Sequence, residues 1–361
     1  MYPDQQKLKL IREAVEEQLA ARSLGTRSPE GLFAPIDYTL RLGGKRIRPL
    51  LACAAAAAFS EAWQRALPVA VALEIFHNFT LLHDDLMDRS PLRRGQETVY
   101  RRWGDNTAIL SGDAMSIEAY ASLAEVADKS LLAELLPRFS QMALEVCVGQ
   151  QYDMEFETRS EVRVEEYMEM IRLKTSVLLG SSLELGALVG GATVEQARAL
   201  YAVGIQLGLA FQIQDDLLDV YGEEKTFGKP IGGDIVNAKK TLLLLYTLEQ
   251  LQGEDLKRLQ EILTYTPEER RAYIDEVRAL YDKAGTRLYT EAEIERLTAE
   301  AYHGVEQLPL REEGRELLLA LFHTLRSHEV ACSSSIAIHI YTERSSTRTV
   351  TRCSHVPQRP V

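Results

Sequence analysis

Apolar residues recur at three- and four-residue intervals along most of the chain. The stretches 5–20, 68–88, 106–127, 163–190 and 195–221 each place them at i, i+3, i+4 and i+7. That spacing draws one apolar stripe down a helix of 3.6 residues per turn. Period-two alternation is nearly absent before residue 330, and glycine and proline are sparse. The pattern predicts an all-α chain of roughly ten or more helices. Three stretches, "RPLLACAAAAAF", "SVLLGSSLELGALVGG" and "VGIQLGLAFQI", are apolar on most faces. Helices of that kind belong at the centre of a bundle. Helical periodicity stops near "LLLALFHTLRSHEV". The expected organisation is one helical domain over 1–328 and a flexible Ser/Thr/Arg-rich tail over 329–361. The last 31 residues hold ten Ser or Thr, four Arg and one Glu, too polar a composition to build a core.

Two polar insertions break this pattern. "LLHDDLMD", residues 81–88, carries Asp84, Asp85 and Asp88, and "IQDDLLD", residues 213–219, carries Asp215, Asp216 and Asp219. On a helix, Asp84 and Asp88 lie about 40° apart and share a face, as do Asp215 and Asp219. Carboxylates this close repel one another and are costly to bury without a counterion. Mg²⁺ takes oxygen ligands, typically one or two carboxylates together with phosphate and water. Two such helix ends facing each other would hold Mg²⁺ with positions open for a phosphorylated ligand. Solvated helix ends would explain one motif more readily than two alike.

The net charge of −12 and pI near 5.2 argue against nucleic acid as a partner. The basic residues cluster locally instead. "LGGKRIRP", residues 42–49, supplies Lys45, Arg46 and Arg48 after two glycines. "SPLRRGQ" places Arg93 and Arg94 just beyond Asp88, with Pro91 stopping the helix so that the chain turns back. Lys225, Lys229, Lys239 and Lys240 follow the second motif. Gly204 and Gly208 fall on the Asp215 face, where small residues leave either a cavity or a tight helix contact. Leu73 and Phe76 lie below Asp84, so an apolar shaft with a metal and phosphate mouth is expected. Four cysteines without metal-finger spacing suit a reducing cytoplasm. The N-terminus is too polar for a signal peptide. The apolar run 49–59 is about half the length a membrane span needs, so no transmembrane segment is expected.

The motifs "GGKRIRP", "HDDLMD", "RRG", "GQQYD" (149–153), "LKT" (173–175), "FQIQDDLLD" and "GKPIGGD" (228–234) occur in one order. In this the chain resembles the trans-isoprenyl diphosphate synthases, the polyprenyl synthetase family that includes farnesyl and geranylgeranyl diphosphate synthases. The resemblance implies the isoprenoid synthase fold, a large helical bundle around a central cavity, usually a homodimer. It implies head-to-tail condensation of isopentenyl diphosphate with an allylic diphosphate: dimethylallyl, geranyl or farnesyl. Asp84, Asp88 and Asp215, assisted by Asp85 and Asp219, would hold about three Mg²⁺ ions acting as Lewis acids. Arg93, Lys174, Lys229 and Lys239 would hold the allylic diphosphate. Lys45, Arg48, His77 and Arg94 would hold isopentenyl diphosphate. Thr175 and Gln212 would turn their oxygens to the developing cation. In the family, bulk just before the first motif sets product length, which points to Phe79, with Thr80 and Phe76 beside it, and to C15–C20 products. The alternatives are a longer-chain synthase and a catalytically inert partner subunit. Such subunits commonly lose motif aspartates, whereas all six are present here.

Overall fold

The computed structural model describes residues 3–222 and 231–326. The expected tail, Lys225 and Lys229 lie outside the described residues. Helices α1 (Pro3–Ala21), α2 (Glu30–Arg41) and α3 (Ile47–Ala57) lead into α4 (Leu67–Met87). A hairpin of β1 (Leu92–Arg93) and β2 (Gln96–Glu97) follows, then α5 (Val99–Trp103), α6 (Asp105–Leu123), α7 (Leu132–Thr158) and α8 (Val164–Ile171). Helix α8 continues through a five-residue π turn, Arg172–Ser176, into α9 (Val177–Gly190). Next comes α10 (Val194–Tyr221). Beyond residue 230 lie α11 (Gly233–Val236), α12 (Leu242–Gln250), α13 (Gly253–Leu263), α14 (Pro267–Arg270), α15 (Ile274–Lys283), α16 (Thr286–Glu306) and α17 (Glu312–Arg326).

The all-α expectation holds, and the most apolar stretches are the most central. Every residue of α9 is buried, as is α3 from Pro49 to Ala57. Helix α10, which carries the second acidic motif, packs along α9 and α16. Its start is fixed by a capping box: Thr193 Oγ1 accepts the Gln196 N–H at 3.2 Å, and Gln196 Oε1 accepts the Thr193 N–H at 2.9 Å. The structure decides between the two readings of the α10 glycines. A Cβ on Gly204 would sit 2.5 Å from Gly180 Cα, and one on Gly208 would sit 2.6 Å from Ser176 Cα. Gly204 seats the backbone of α9 and Gly208 the end of the π turn, and neither leaves a cavity. Leu73 and Phe76 likewise lie in the packed core, at 0% and 2% exposure.

One helical stretch, Trp63–Met87, is long and apolar enough to cross a membrane, with a mean hydropathy of 1.3. Glu74, His77 and Asn78 interrupt its apolar run, so it does not stand out as an unbroken apolar stretch in the sequence. Of its most apolar window, 61% is buried inside the protein, which is the environment of a core helix.

Candidate active site

The first acidic motif closes α4, with Asp88 as the C-terminal cap. The chain then reverses in the hairpin, where Leu92 pairs with Glu97 and Arg93 with Gln96. Its two turn residues, Arg94 (φ 53°) and Gly95 (φ 74°), both have positive φ, as a type I′ turn requires. The turn aims the arginines back at α4, as Pro91 led one to expect. Arg93 grips Asp85, with Nε donating to Oδ1 at 3.0 Å and Nη2 to the same oxygen at 2.6 Å. Asp85 is 5% exposed, and in this state its carboxylate is engaged by Arg93. Burial raises the Asp85 carboxyl above its usual range, and Arg93 opposes the rise.

The second basic cluster forms beneath the hairpin tip. The "LGGKRIRP" loop runs through Gly43 and Gly44, both at positive φ, and Arg46 begins α3 in the left-handed region at φ 52°. Arg94 Nη1 donates to the Gly43 carbonyl. Arg48 Nη1 lies 3.1 Å from His77 Nε2. Burial, reinforced by Arg48 and then Arg94, holds His77 well below the ordinary histidine range, so the neutral ring is the acceptor. Burial pushes the Arg48 guanidinium down to about 10. Arg48 Nε is buried and has no hydrogen-bond partner among the described residues. A buried orphan donor amid like charges is what a bound anion would satisfy. Lys45 is half-buried in the same loop. Arg46 is not part of this cluster. It is 3% exposed and bonds Glu74 Oε1 at 2.6 Å, Glu16 Oε1 at 2.7 Å and the Leu40 carbonyl at 2.7 Å, so it braces the loop.

The two acidic motifs meet around two lysines. Lys174 Nζ lies 2.6 Å from Asp153 Oδ2 and 3.9 Å from Asp84 Oδ1. It rides on the π turn, which α7 approaches closely because position 149 is glycine: a Cβ there would fall 2.3 Å from Lys174 N. Much of Lys239 is exposed, yet its ammonium is set among carboxylates. Desolvation pulls it down, but Asp216, Asp234, Asp153 and Asp88 outweigh that and hold it above the usual lysine range. Asp88 belongs to the first motif and Asp216 to the second, so both bear on one cation. Lys240, its neighbour in sequence, instead donates to the Phe156 carbonyl at 2.6 Å.

A cavity of about 80 Å³ opens here, lined by Asp153, Lys174, Thr175, Gln212, Asp216 and Lys239, with Met170 and Ile171 as apolar wall. Thr175 Oγ1 donates to Gln212 Oε1 at 3.2 Å. Asp219 Oδ2 accepts the Asp234 N–H at 2.8 Å, which ties α11 to the end of α10. Asp153 belongs to the "GQQYD" motif, whose spacing by itself assigns the acid no role. Its local signal is an acid one helical turn from Gly149 on the same face. Among the described residues no three acidic, His or Cys side chains already enclose a metal. The donors are all carboxylate oxygens on two separate helix ends, and burial raises Asp84 above its usual range, with Asp88 adding to it. Such a set fits Mg²⁺, which draws most of its ligands from water and phosphate.

The residues expected to set product length lie further down α4, before the first motif. Phe79 stands edge-on between Phe76 (centroids 5.3 Å apart) and His83 (4.9 Å). Phe76 in turn meets Phe139 of α7 at 5.6 Å. Thr80 Oγ1 donates to its own helix at the His77 carbonyl, at 2.8 Å.

Residues 29–281 match the polyprenyl synthetase family. A short chain isoprenyl diphosphate synthase of Methanothermobacter thermautotrophicus is 36% identical over 285 residues, which is 79% of this chain and 86% of its own. A geranylfarnesyl diphosphate synthase of Aeropyrum pernix is 34% identical over 281 residues, 71% of this chain and 88% of its own. The crystal structure of a geranylgeranyl pyrophosphate synthase superposes with a TM-score of 0.84 at 42% identity, covering 89% of this chain and 98% of that one. Two acidic helix ends around a lysine-bearing cavity, beside a separate arginine cluster, thus sit on a chain matched over most of its length: it belongs to the polyprenyl synthetase family and is a trans-prenyltransferase.

Proposed function

We propose that the protein joins isopentenyl diphosphate head-to-tail to an allylic diphosphate and makes a short-chain product of C15–C20. The observation that carries this reading is the pair of separate anion sites. Lys174 and Lys239 stand with both acidic motifs at the cavity, while Arg48, His77 and Arg94 form a cluster of their own. One site suits the diphosphate that leaves and the other the diphosphate that stays. Asp84, Asp88 and Asp215, with Asp219, would hold Mg²⁺, whose chemistry when bound is to draw charge from the diphosphate oxygens. Lys174 and Lys239 bind the departing diphosphate and neutralise its charge. Arg93, on release from Asp85, and Lys229 belong to the same grip. Thr175 and Gln212 present oxygens to the carbon that becomes positive. Met170 and Ile171 keep water from it. Lys45, Arg48, His77 and Arg94 hold isopentenyl diphosphate with its double bond toward that carbon.

For product length, the stack of Phe79, Phe76 and Phe139 supports a floor below the first motif. The similar geranylgeranyl pyrophosphate synthase structure supports C20 within the proposed range, while the geranylfarnesyl relative makes the next longer product the outcome to look for beyond it. A second copy of the chain fits the outer face of α6 and α7, where Ile109, Leu110, Ile117, Leu136, Leu144 and Val148 are exposed. Large apolar side chains spaced along two adjoining helices suit an isologous dimer. A cytoplasmic setting accords with soluble substrates of this kind. The test is to incubate the purified protein with isopentenyl diphosphate and each of dimethylallyl, geranyl and farnesyl diphosphate, with Mg²⁺ or with excess EDTA. The expected result is Mg²⁺-dependent C15–C20 product from a protein that light scattering shows to be dimeric. No condensation with any primer would overturn the reading.

A further inference from the structure

Tyr167, on α8 one turn before the π turn, is 1% exposed, and its hydroxyl donates to Asp216 Oδ2. No motif singled it out. Asp216 is itself 3% exposed, and its other oxygen, Oδ1, accepts Gln212 Nε2 at 3.1 Å. Gln212 Oε1 accepts Thr175 Oγ1 at 3.2 Å. All four residues line the cavity that holds Lys174 and Lys239. The chain of bonds has one direction. Asp216 meets a donor on each oxygen, so the NH₂ end of the Gln212 amide faces Asp216 and the carbonyl end faces Thr175. Thr175 directs its single proton at Gln212, which leaves the Oγ1 lone pairs and the second lone pair of Oε1 for the cavity. A reversed amide would place two N–H groups beside the carbon that becomes positive.

We propose that Tyr167 is a positioning residue for prenyl transfer. Its hydroxyl fixes the Asp216 carboxylate, and Asp216 in turn fixes the Gln212 amide with oxygen, not nitrogen, toward Thr175 and the cavity. This rests on the reading of Thr175 and Gln212 given above, and it assigns the orientation of that pair to a residue that touches neither substrate.

Tyr167→Phe removes only the hydroxyl and keeps the ring in its apolar cluster with Met170, Ile171 and Ile213. At saturating substrates kcat should fall about tenfold or more, while KM for each diphosphate stays within about twofold. In a Gln212→Ala background the same substitution should change kcat little, because the residue it acts through is gone. A merely structural loss would act equally in both backgrounds, and that result would overturn the proposal. So would a Tyr167→Phe enzyme with kcat within twofold of the parent. If Gln212→Ala by itself left kcat unchanged, the earlier reading of Gln212 would fail, and this inference with it. A slow Gln212→Ala beside a normal Tyr167→Phe would sink this inference alone.

Discussion

Replacing Gly149 by alanine tests whether the close approach of α7 to the π turn places Lys174 for its proposed role. The added Cβ would lie 2.3 Å from Lys174 N and 2.7 Å from both Leu173 C and Lys174 Cα. All three are backbone atoms, so no flexible side chain can swing aside. Reaching ordinary contact near 3.5 Å requires the turn to move by about 1 Å. Overpacking of this kind costs about 1–3 kcal/mol, which lowers Tm by roughly 1–2 °C per kcal/mol in a chain of this size. The functional effect should be larger. Lys174 and Thr175 both ride on the turn, and a misplacement of about 1 Å can cost about a hundredfold in rate. Steady-state kinetics with an allylic primer and isopentenyl diphosphate should show kcat down by about that factor, with a modest rise in KM. Gly31→Ala is the control, since nothing lies within 4 Å of its added Cβ and it sits in the first turn of α2. It should be neutral or gain up to about 1 kcal/mol. A Gly149→Ala enzyme that loses stability yet keeps kcat within threefold of the parent would show that the contact packs the bundle but does not aim Lys174.

Three further outcomes are expected. Arg48→Ala should raise KM for isopentenyl diphosphate about 10- to 100-fold, the worth of a hydrogen bond to a charged group; equal effects on both substrates would refute separate anion sites. His77 titrates below its unfolded value of about 6.5, so below that pH the unfolded chain binds a proton that the folded chain refuses, and stability falls as pH drops, by up to about 1.4 kcal/mol per unit. Urea melts of the parent and His77→Gln at pH 7.5, 6.5 and 5.5 should diverge only below 6.5, and parallel curves would count against it. Phe79→Ala should lengthen the main product by one or more five-carbon units; because Phe79 is only partly buried, its stability cost should fall below the roughly 3–5 kcal/mol of a fully buried Phe; chromatography of the dephosphorylated products showing an unchanged length in a folded, active variant would reject Phe79 as the floor.

The helical architecture was legible because burial leaves a periodic trace. The stretch that became α9 is apolar on every face, and it is buried along its whole length. The acidic motifs were legible because six carboxylates in apolar surroundings need an electrostatic reason. Pro91 signalled that the chain would turn, and the residue pair at the turn, Arg94 and Gly95, explains how. What stayed hidden depends on partners distant in sequence. Nothing local separates Lys239, set among four carboxylates, from Lys240, bonded to a backbone carbonyl 84 residues away. Arg46 and Arg48 sit in one short motif, yet one braces the loop through Glu74 and the other faces His77. Gly204 and Gly208 fit both a hollow and a seam until α9 is placed beside them. Tyr167 reads as an ordinary core aromatic, and only the position of Asp216, 49 residues on, gives its hydroxyl a use.

The π turn at Arg172–Ser176 carries a consequence for how this enzyme can change by insertion and deletion. Such a turn is in effect one residue more than an α-helix needs, and each residue advances a helix by about 100°. Deleting one residue from it would let α8 and α9 join as a regular helix with better hydrogen bonds. Helix α9 is locked on its far side, where Gly186 and Gly190 lie against the backbone of Ala52 and Ala56. The rotation would therefore fall on α8 and swing Tyr167 about a quarter turn from Asp216. The shorter chain would have the more regular backbone and the wrong phase between its two halves. Loss of one residue should thus be far less tolerated here than at the surface connection between α6 and α7, although the local helix would gain by it.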